Sequence, residues 1–325
     1  MSRSAICLPT AIATRAQRTS LEQNALPPIQ AGRRLVLSLL SATAASGAVA
    51  ATRSTSSWAV TITPEAAPSA TLLSDAKADP NLGEIQRLFD TALKAGTVEE
   101  EEAAWSACVA RLQPLTRSSE WATPLLAGVL GNRGNARSRQ GKLDAAVEDY
   151  DAAIALAPYA IDPVLNRGVV REQQGLFELA VDDYDAVLAV SPADPAAWNN
   201  RGNAKMGLAD YAGAAHDYAQ ATALAPAFSF AAANLAVALY AQGNTTEALR
   251  SMRALLRKYP SFPDVRAALA AALWASGDTA AAESEWLRVG DPRYRDSQWV
   301  TRNRRWPPVL AEALDALVNI RATRA

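Results

Sequence analysis

Histidine and cysteine are nearly missing: the 325 residues hold one histidine, His216, and two cysteines, Cys7 and Cys108. Without a Cys/His cluster a zinc site lacks its usual ligands, and two distant thiols make no disulfide framework, the less so if Cys7 is removed on maturation. Strongly apolar runs are also scarce. The best, Leu35 to Ala51, is about 17 residues long against the roughly 20 needed to span a bilayer, and Ser38, Ser41, Thr43, Ser46 and Gly47 dilute it. Alternating β-branched and aromatic stretches are absent while alanine abounds, which points to an all-α chain. There is no surplus of positive charge, since the net charge is -1. Residues 1 to 50 carry five arginines and one acid, so the rest of the chain is mildly acidic, which argues against nucleic acid as a partner. Phosphate loops, nucleophile elbows and metal motifs are lacking as well. His216 has Asp217 beside it, but adjacent residues on a helix point in different directions. No enzyme activity and no cofactor are expected.

What is present begins with the amino terminus. Residues 1–32 are rich in Ser, Thr, Ala and Arg and almost free of acids, the composition of an organellar transit peptide. Arg33-Arg34, the apolar stretch from Leu35 and the small residues Ala48-Val49-Ala50 then read as a twin-arginine signal over 33–50, with cleavage after Ala50. In tandem the two resemble the bipartite presequence of chloroplast proteins sent to the thylakoid lumen. A mitochondrial address would leave the inner signal unexplained, and an uncleaved Leu35 segment would be a membrane anchor. Residues 51–80, with Ser, Thr, Ala and Pro and little periodicity, read as a flexible leader.

The body is organised by a repeat. Pro158, Pro192, Pro226 and Pro260 are spaced 34 residues apart. Aligned on them, the eighth place is Gly134, Gly168, Gly202 and Ala236, the twentieth is Ala146, Ala180, Ala214 and Ala248, and the twenty-fourth is Tyr150, Tyr184, Tyr218 and Met252. Each unit is expected to be a helical hairpin. Small residues let its helices A and B nest, the tyrosine fills space against the next unit, and the proline, lacking an amide hydrogen, ends helix B. Gly141, Gly175, Gly243 and Gly277 mark the turn inside each hairpin. Four repeats follow, 127–160, 161–194, 195–228 and 229–262, with a worn fifth at 263–294. Residues 81–114 read as a diverged helical pair out of phase with them, the acidic run Glu99 to Glu102 forming a solvated helix start.

The phrases Asn132-Arg133-Gly134, Asn166-Arg167-Gly168 and Asn200-Arg201-Gly202, with alanine and tyrosine at fixed offsets, are similar to tetratricopeptide repeat proteins. The resemblance implies a right-handed superhelical solenoid with a concave groove that binds a protein or peptide. Arrays of this kind occur in chaperone adaptors, secretion factors and photosystem assembly factors.

Two ladders are candidate partner-binding residues. Arg133, Arg167 and Arg201 fall at the seventh place, but Asp149, Asp183 and Asp217 occupy the twenty-third in the same three repeats, and the fourth has Leu235 and Ser251 instead. Joint gain and loss predicts that each arginine pairs with the aspartate of its own hairpin. Arg137, Arg171 and Lys205, four residues on, are left to meet an acidic ligand. Asn132, Asn166, Asn200 and Asn234 at the sixth place, with Asn135 and Asn203 at the ninth, form the second ladder. They either hydrogen-bond the backbone of a peptide or join helix to helix. Asn135 and Asn166 match the asparagines with which adaptors grip the carboxylate tail of Hsp70 and Hsp90. Gly131 and Ala196, however, stand where that clamp has lysines, and Asn200 where it has arginine, which argues against a carboxylate clamp.

Residues 295–325 are expected to cap the solenoid, with Leu310, Leu314, Leu317 and Val318 on one side of a helix from Pro307 to about Ile320. Arg288 to Arg305 holds six arginines against two aspartates, with Tyr294, Trp299 and Trp306 interleaved. This ending resembles that of tetratricopeptide proteins of plastids and cyanobacteria. The resulting expectation is a non-enzymatic scaffold, soluble or peripheral to a membrane, that assists a photosynthetic membrane complex; the rival is an anchored structural subunit of such a complex, or an adaptor without the clamp.

Overall fold

The computed structural model describes residues 79–324, so the transit peptide, the twin-arginine signal and nearly all of the 51–80 leader lie outside the described residues. Among the described residues there are fourteen α-helices. An opening pair, α1 (Leu82–Leu93) and α2 (Val98–Leu112), precedes five hairpins: α3 (Ala122–Arg139) with α4 (Leu143–Leu156), α5 (Ile161–Gln173) with α6 (Phe177–Val190), α7 (Pro195–Gly207) with α8 (Tyr211–Leu224), α9 (Ser229–Ala241) with α10 (Thr245–Lys258), and α11 (Pro263–Ala275) with α12 (Thr279–Trp286). Then come α13 (Ser297–Arg304) and α14 (Pro308–Arg324). Each helix packs on its sequence neighbour, and α14 folds back onto α11.

The 34-residue period is exact in the helices. The B helices α4, α6, α8 and α10 are each 14 residues long and stop two residues before Pro158, Pro192, Pro226 and Pro260. The A helices α5, α7, α9 and α11 have 13 residues each. Helix α3 is longer and starts before the expected boundary at 127, because Ala122, Leu125 and Leu126 continue into a core shared with Phe89 and Trp105, whose rings meet edge to face at 5.0 Å.

The turn inside each hairpin needs a left-handed residue. Gly141, Gly175, Gly243 and Gly277 supply it with φ of 74° to 84°, and in the third repeat Ala209 adopts the same conformation at φ 58°. At the eighth place the reason for glycine is contact. A Cβ on Gly134, Gly168 or Gly202 would lie within 2.7–2.8 Å of the ring of Tyr150, Tyr184 or Tyr218. The tyrosine thus lies against the glycine of its own hairpin and also shares a core with the next, Tyr150 with Val170 and Tyr184 with Ala197. In the fourth repeat both partners change together, to Ala236 and Met252, and both are buried in one core.

At the carboxyl end Leu310, Leu314 and Leu317 of α14 are buried in the core that also holds α11. Among the described residues no helix is long and apolar enough to cross a membrane.

Candidate functional site

The repeated arginines are consumed by the fold. Arg133 binds Asp149 through Nε and Nη2 at 3.0 and 2.6 Å, Arg167 binds Asp183 at 3.2 and 2.6 Å, and Arg201 binds Asp217 at 2.7 and 2.8 Å, three bidentate pairs each within one hairpin. Arg167 and Arg201 each extend a further nitrogen to the preceding hairpin, to Asp151 and Asp185, both at 2.5 Å. The sequence reading missed these two aspartates. They share the twenty-fifth place, which holds Ala219 just before the repeat that has Leu235 instead of arginine, so the same joint loss would have revealed them.

Arg137, Arg171 and Lys205 are not free for a ligand, contrary to expectation. They donate to the same aspartates, Asp149, Asp183 and Asp217, at 3.0, 2.8 and 2.8 Å, and no more than a fifth of any of their side chains is exposed. Two cations one helical turn apart thus clamp each buried carboxylate. At Asp217 burial opposes ionisation, yet hydrogen bonds from Arg201, Lys205 and His216 outweigh it and hold the pKa below the ordinary carboxylate value. The imidazole Nδ1 of His216 does reach Asp217, at 3.2 Å, although the two are adjacent on α8; the carboxylate is already occupied by Arg201 and Lys205.

The asparagines link successive A helices. Asn166 Nδ2 donates to Asn135 Oδ1 at 3.0 Å, and Asn234 Nδ2 donates to Asn203 and Asn199 at 3.2 Å each. Asn135 and Asn203 also accept the hydroxyls of Tyr150 and Tyr218 at 2.7 and 2.8 Å. Asn132 and Asn200 are buried. A sixth-place carboxamide therefore binds the ninth-place carboxamide of the repeat before it. Between α5 and α7 this fails, because the ninth place is Val169, and the Asn200 Nδ2 is buried without a partner. Asn135, Asn166, Asn203 and Asn234 stay half-buried along the face formed by the A helices, and each carboxamide has donors and acceptors beyond the bonds it makes there.

A family model described as tetratricopeptide repeat matches residues 132–197, 165–232, 199–249 and 233–297. The chain belongs to the tetratricopeptide repeat family. No curated protein matches the sequence. Among solved structures it is similar to a tetratricopeptide repeat protein from Parabacteroides merdae, at 20% identity and TM-score 0.58, over 73% of this chain and 98% of that one. It is also similar to yeast Tom70, at 17% identity and TM-score 0.51, over 76% of this chain and 54% of that one, and to MamA from Desulfovibrio magneticus, at 19% identity and TM-score 0.47, over 56% and 97%. These likenesses concern the fold.

The break in the tetratricopeptide ladder redirects a hydroxyl. With Val169 in place of an acceptor, the Tyr184 hydroxyl turns to Glu172, one turn further along α5, at 3.3 Å. Burial pushes the Glu172 carboxyl up to about 7, and Arg305 and Tyr184 only partly oppose it. Arg305 comes from the far end of the chain, and its Nη2 lies 3.1 Å from both the carboxylate and the carbonyl of Glu172. Of the six arginines near the carboxyl end, Arg304 pairs with Asp264 and Arg293 with Asp291, so much of that positive charge is spent internally.

The acidic run on α2 also has an internal role that the sequence reading did not foresee. Thr97 and Glu100 close a capping box, Glu101 pairs with Arg139, and Glu102 accepts from Lys142, Arg137 and Gln140. Led by the Lys142 hydrogen bond, these contacts hold the Glu102 carboxyl down at about 2. The run staples the opening pair to the first tetratricopeptide hairpin. Cys108 is fully buried, and burial pushes its thiol up to about 12, so it stays protonated and unreactive.

Proposed function

We propose that this chain is a protein-interaction scaffold whose A-helix face, the concave groove of the array, holds an extended segment of a partner. The observation that carries this reading is the extent of the repeats. Tetratricopeptide matches run from 132 to 297, helical hairpins account for most of the described chain, and the conspicuous ionic groups are spent on joining helices. What the A helices still offer is carboxamide. Asn135, Asn166, Asn203 and Asn234 can bond a peptide backbone with capacity left over from the ladder. Arg137, Arg171 and Lys205 are not part of this reading, since each is tied to an aspartate.

The amino-terminal composition supports a thylakoid-lumen address, and with it a role in assembling or maintaining a photosynthetic membrane complex. A photo-crosslinking residue at position 131 tests the groove. Gly131 has space there, because the nearest atom to a Cβ would be Pro163 Cγ at 3.9 Å. Capture of one defined partner from 131, and not from exposed Glu148 on a B helix, is expected; equal capture from both would defeat the groove assignment. Organelle fractionation tests the address. Carbonate extraction is expected to release the protein, whereas retention in the membrane favours an anchored subunit.

A further inference from the structure

The A-helix face already carries an occupant from α5 to α11, and the occupant belongs to the chain itself. Residues 304–306 are the last residue of α13 and the start of its link to α14. Arg304 pairs with Asp264 of α11, and its guanidinium stands 5.8 Å from the ring of Phe230 on α9. Arg305 reaches 133 positions back to Glu172 of α5 at 3.1 Å, and stands 5.3 Å from the ring of Phe177. The indole of Trp306 is buried, and with Arg304 it closes a small cavity against Asn234, Val237 and Ala268. Asn234, Val237 and Ala268 are sixth- and ninth-place residues, the positions that carry the asparagine ladder elsewhere.

The same recognition unit thus appears twice in a row. Each guanidinium meets one carboxylate and one phenyl ring, Arg304 with Asp264 and Phe230, Arg305 with Glu172 and Phe177, and the indole that follows is buried in the core. Ion pairing and cation–π contact reinforce each other on the same cation. A terminal cap does not require this. Capping means covering the exposed face of α11, which Leu310, Leu314 and Leu317 of α14 do together with Tyr294, Val300 and Trp306, and which needs neither arginine. Contacts with α5, α6 and α9 lie one to three hairpins away.

We propose that this face is a receptor for an arginine-aromatic peptide segment, and that Arg304-Arg305-Trp306 is its resident, displaceable ligand. The inference rests on the reading of the A-helix face as the peptide groove and names the chemistry of what that groove takes. The resident segment is imperfectly seated. Arg305 sits in the left-handed region at φ 54°, which side-chain-bearing residues rarely adopt, and its buried Nε has no hydrogen-bond partner. A partner carrying the same side chains in relaxed backbone would compete with it, and α3, ahead of these contacts, would hold the rest of that partner.

The test uses the full chain and a fluorescein-labelled peptide of residues 300–308. Arg305→Glu removes the cation that Glu172 holds and lies outside α14. Fluorescence anisotropy is expected to show at least tenfold tighter peptide binding by this variant than by wild type, and at least tenfold loss when both arginines of the peptide are alanine. A variant that keeps native circular dichroism and melting yet binds no better than wild type overturns the proposal. Hydrogen exchange on the unmodified chain gives a second measure that does not depend on the variant folding. Amides of residues 301–306 are expected to exchange at least a hundredfold faster than those of α11; equal protection, meaning release only by global unfolding, overturns it too. If position 131 still captures its partner while the peptide fails, the scaffold reading stands and this inference alone falls.

Discussion

At the scale of single residues the buried ion clamps make the sharpest prediction. Asp183 is 1% exposed and accepts hydrogen bonds from both Arg167 and Arg171. Asp183→Asn keeps the shape but leaves two buried guanidinium groups facing a neutral amide. Breaking one side of a buried pair costs about 3 kcal/mol or more, so a clear drop in the thermal midpoint is expected. Unchanged melting with altered partner binding would instead return these arginines to the ligand. Ala209 predicts the opposite sign, because it holds the left-handed turn that glycine holds in the other repeats. Ala209→Gly is expected to stabilise by about 1 kcal/mol, read from the urea midpoint. Glu172 predicts a pH dependence. Its carboxyl titrates near 7 when folded against 4.5 for the free group. Between those values the folded chain therefore binds more protons than the unfolded one, and stability falls as pH rises from about 4.5 to 7. The depressed pKa of Glu102 acts only below that window, where it removes stability as pH falls from 4.5 toward 2. Glu172→Gln is expected to flatten the fall, measured as melting temperature at pH 5 and pH 7.5.

Helices and hairpins show what could be read from the sequence and what could not. The four prolines located the ends of α4, α6, α8 and α10 because a residue without an amide hydrogen acts locally. The arginine and aspartate pairing was legible because both partners vanish together in the fourth repeat, at Leu235 and Ser251. The second cation of each clamp was not, since Arg137, Arg171 and Lys205 look free until the hairpin closes around the aspartate. The asparagine ladder stayed ambiguous for a similar reason. A carboxamide at helical spacing serves a peptide or a neighbouring helix equally well, and the geometry between hairpins decides. Once the rule from sixth to ninth place is known, Val169 stands out as the missing rung. Val169→Asn offers an acceptor to the orphaned Asn200 amide, at the expense of apolar contacts in the α5–α7 core. A double-mutant cycle separates the two effects, and combining Val169→Asn with Asn200→Ala is expected to reveal a coupling of about 1 kcal/mol. Zero coupling would mean that the ladder contributes nothing at this junction.

Across the whole molecule, stability is the sum of neighbouring interfaces, as in any array where each hairpin touches mainly the next. Among the described residues the carboxyl-terminal segment departs from that rule by joining more distant parts of the chain. Helix α14 returns to α11, and Arg305 returns to Glu172. The first is apolar and seals the end of the array. Leu314 is fully buried there, and Leu314→Ala is expected to cost about 3 kcal/mol through lost burial and the cavity left behind. Because the effect is local, amide protection should fall in α11 to α14 and remain unchanged in α3 and α4, which hydrogen exchange resolves helix by helix. Loss of protection along the entire chain would instead show that the solenoid unfolds as one cooperative unit. In that case the Arg305–Glu172 contact, which ties α5 to the carboxyl end, is the contact to remove, and Arg305→Ala tests whether it couples the two halves.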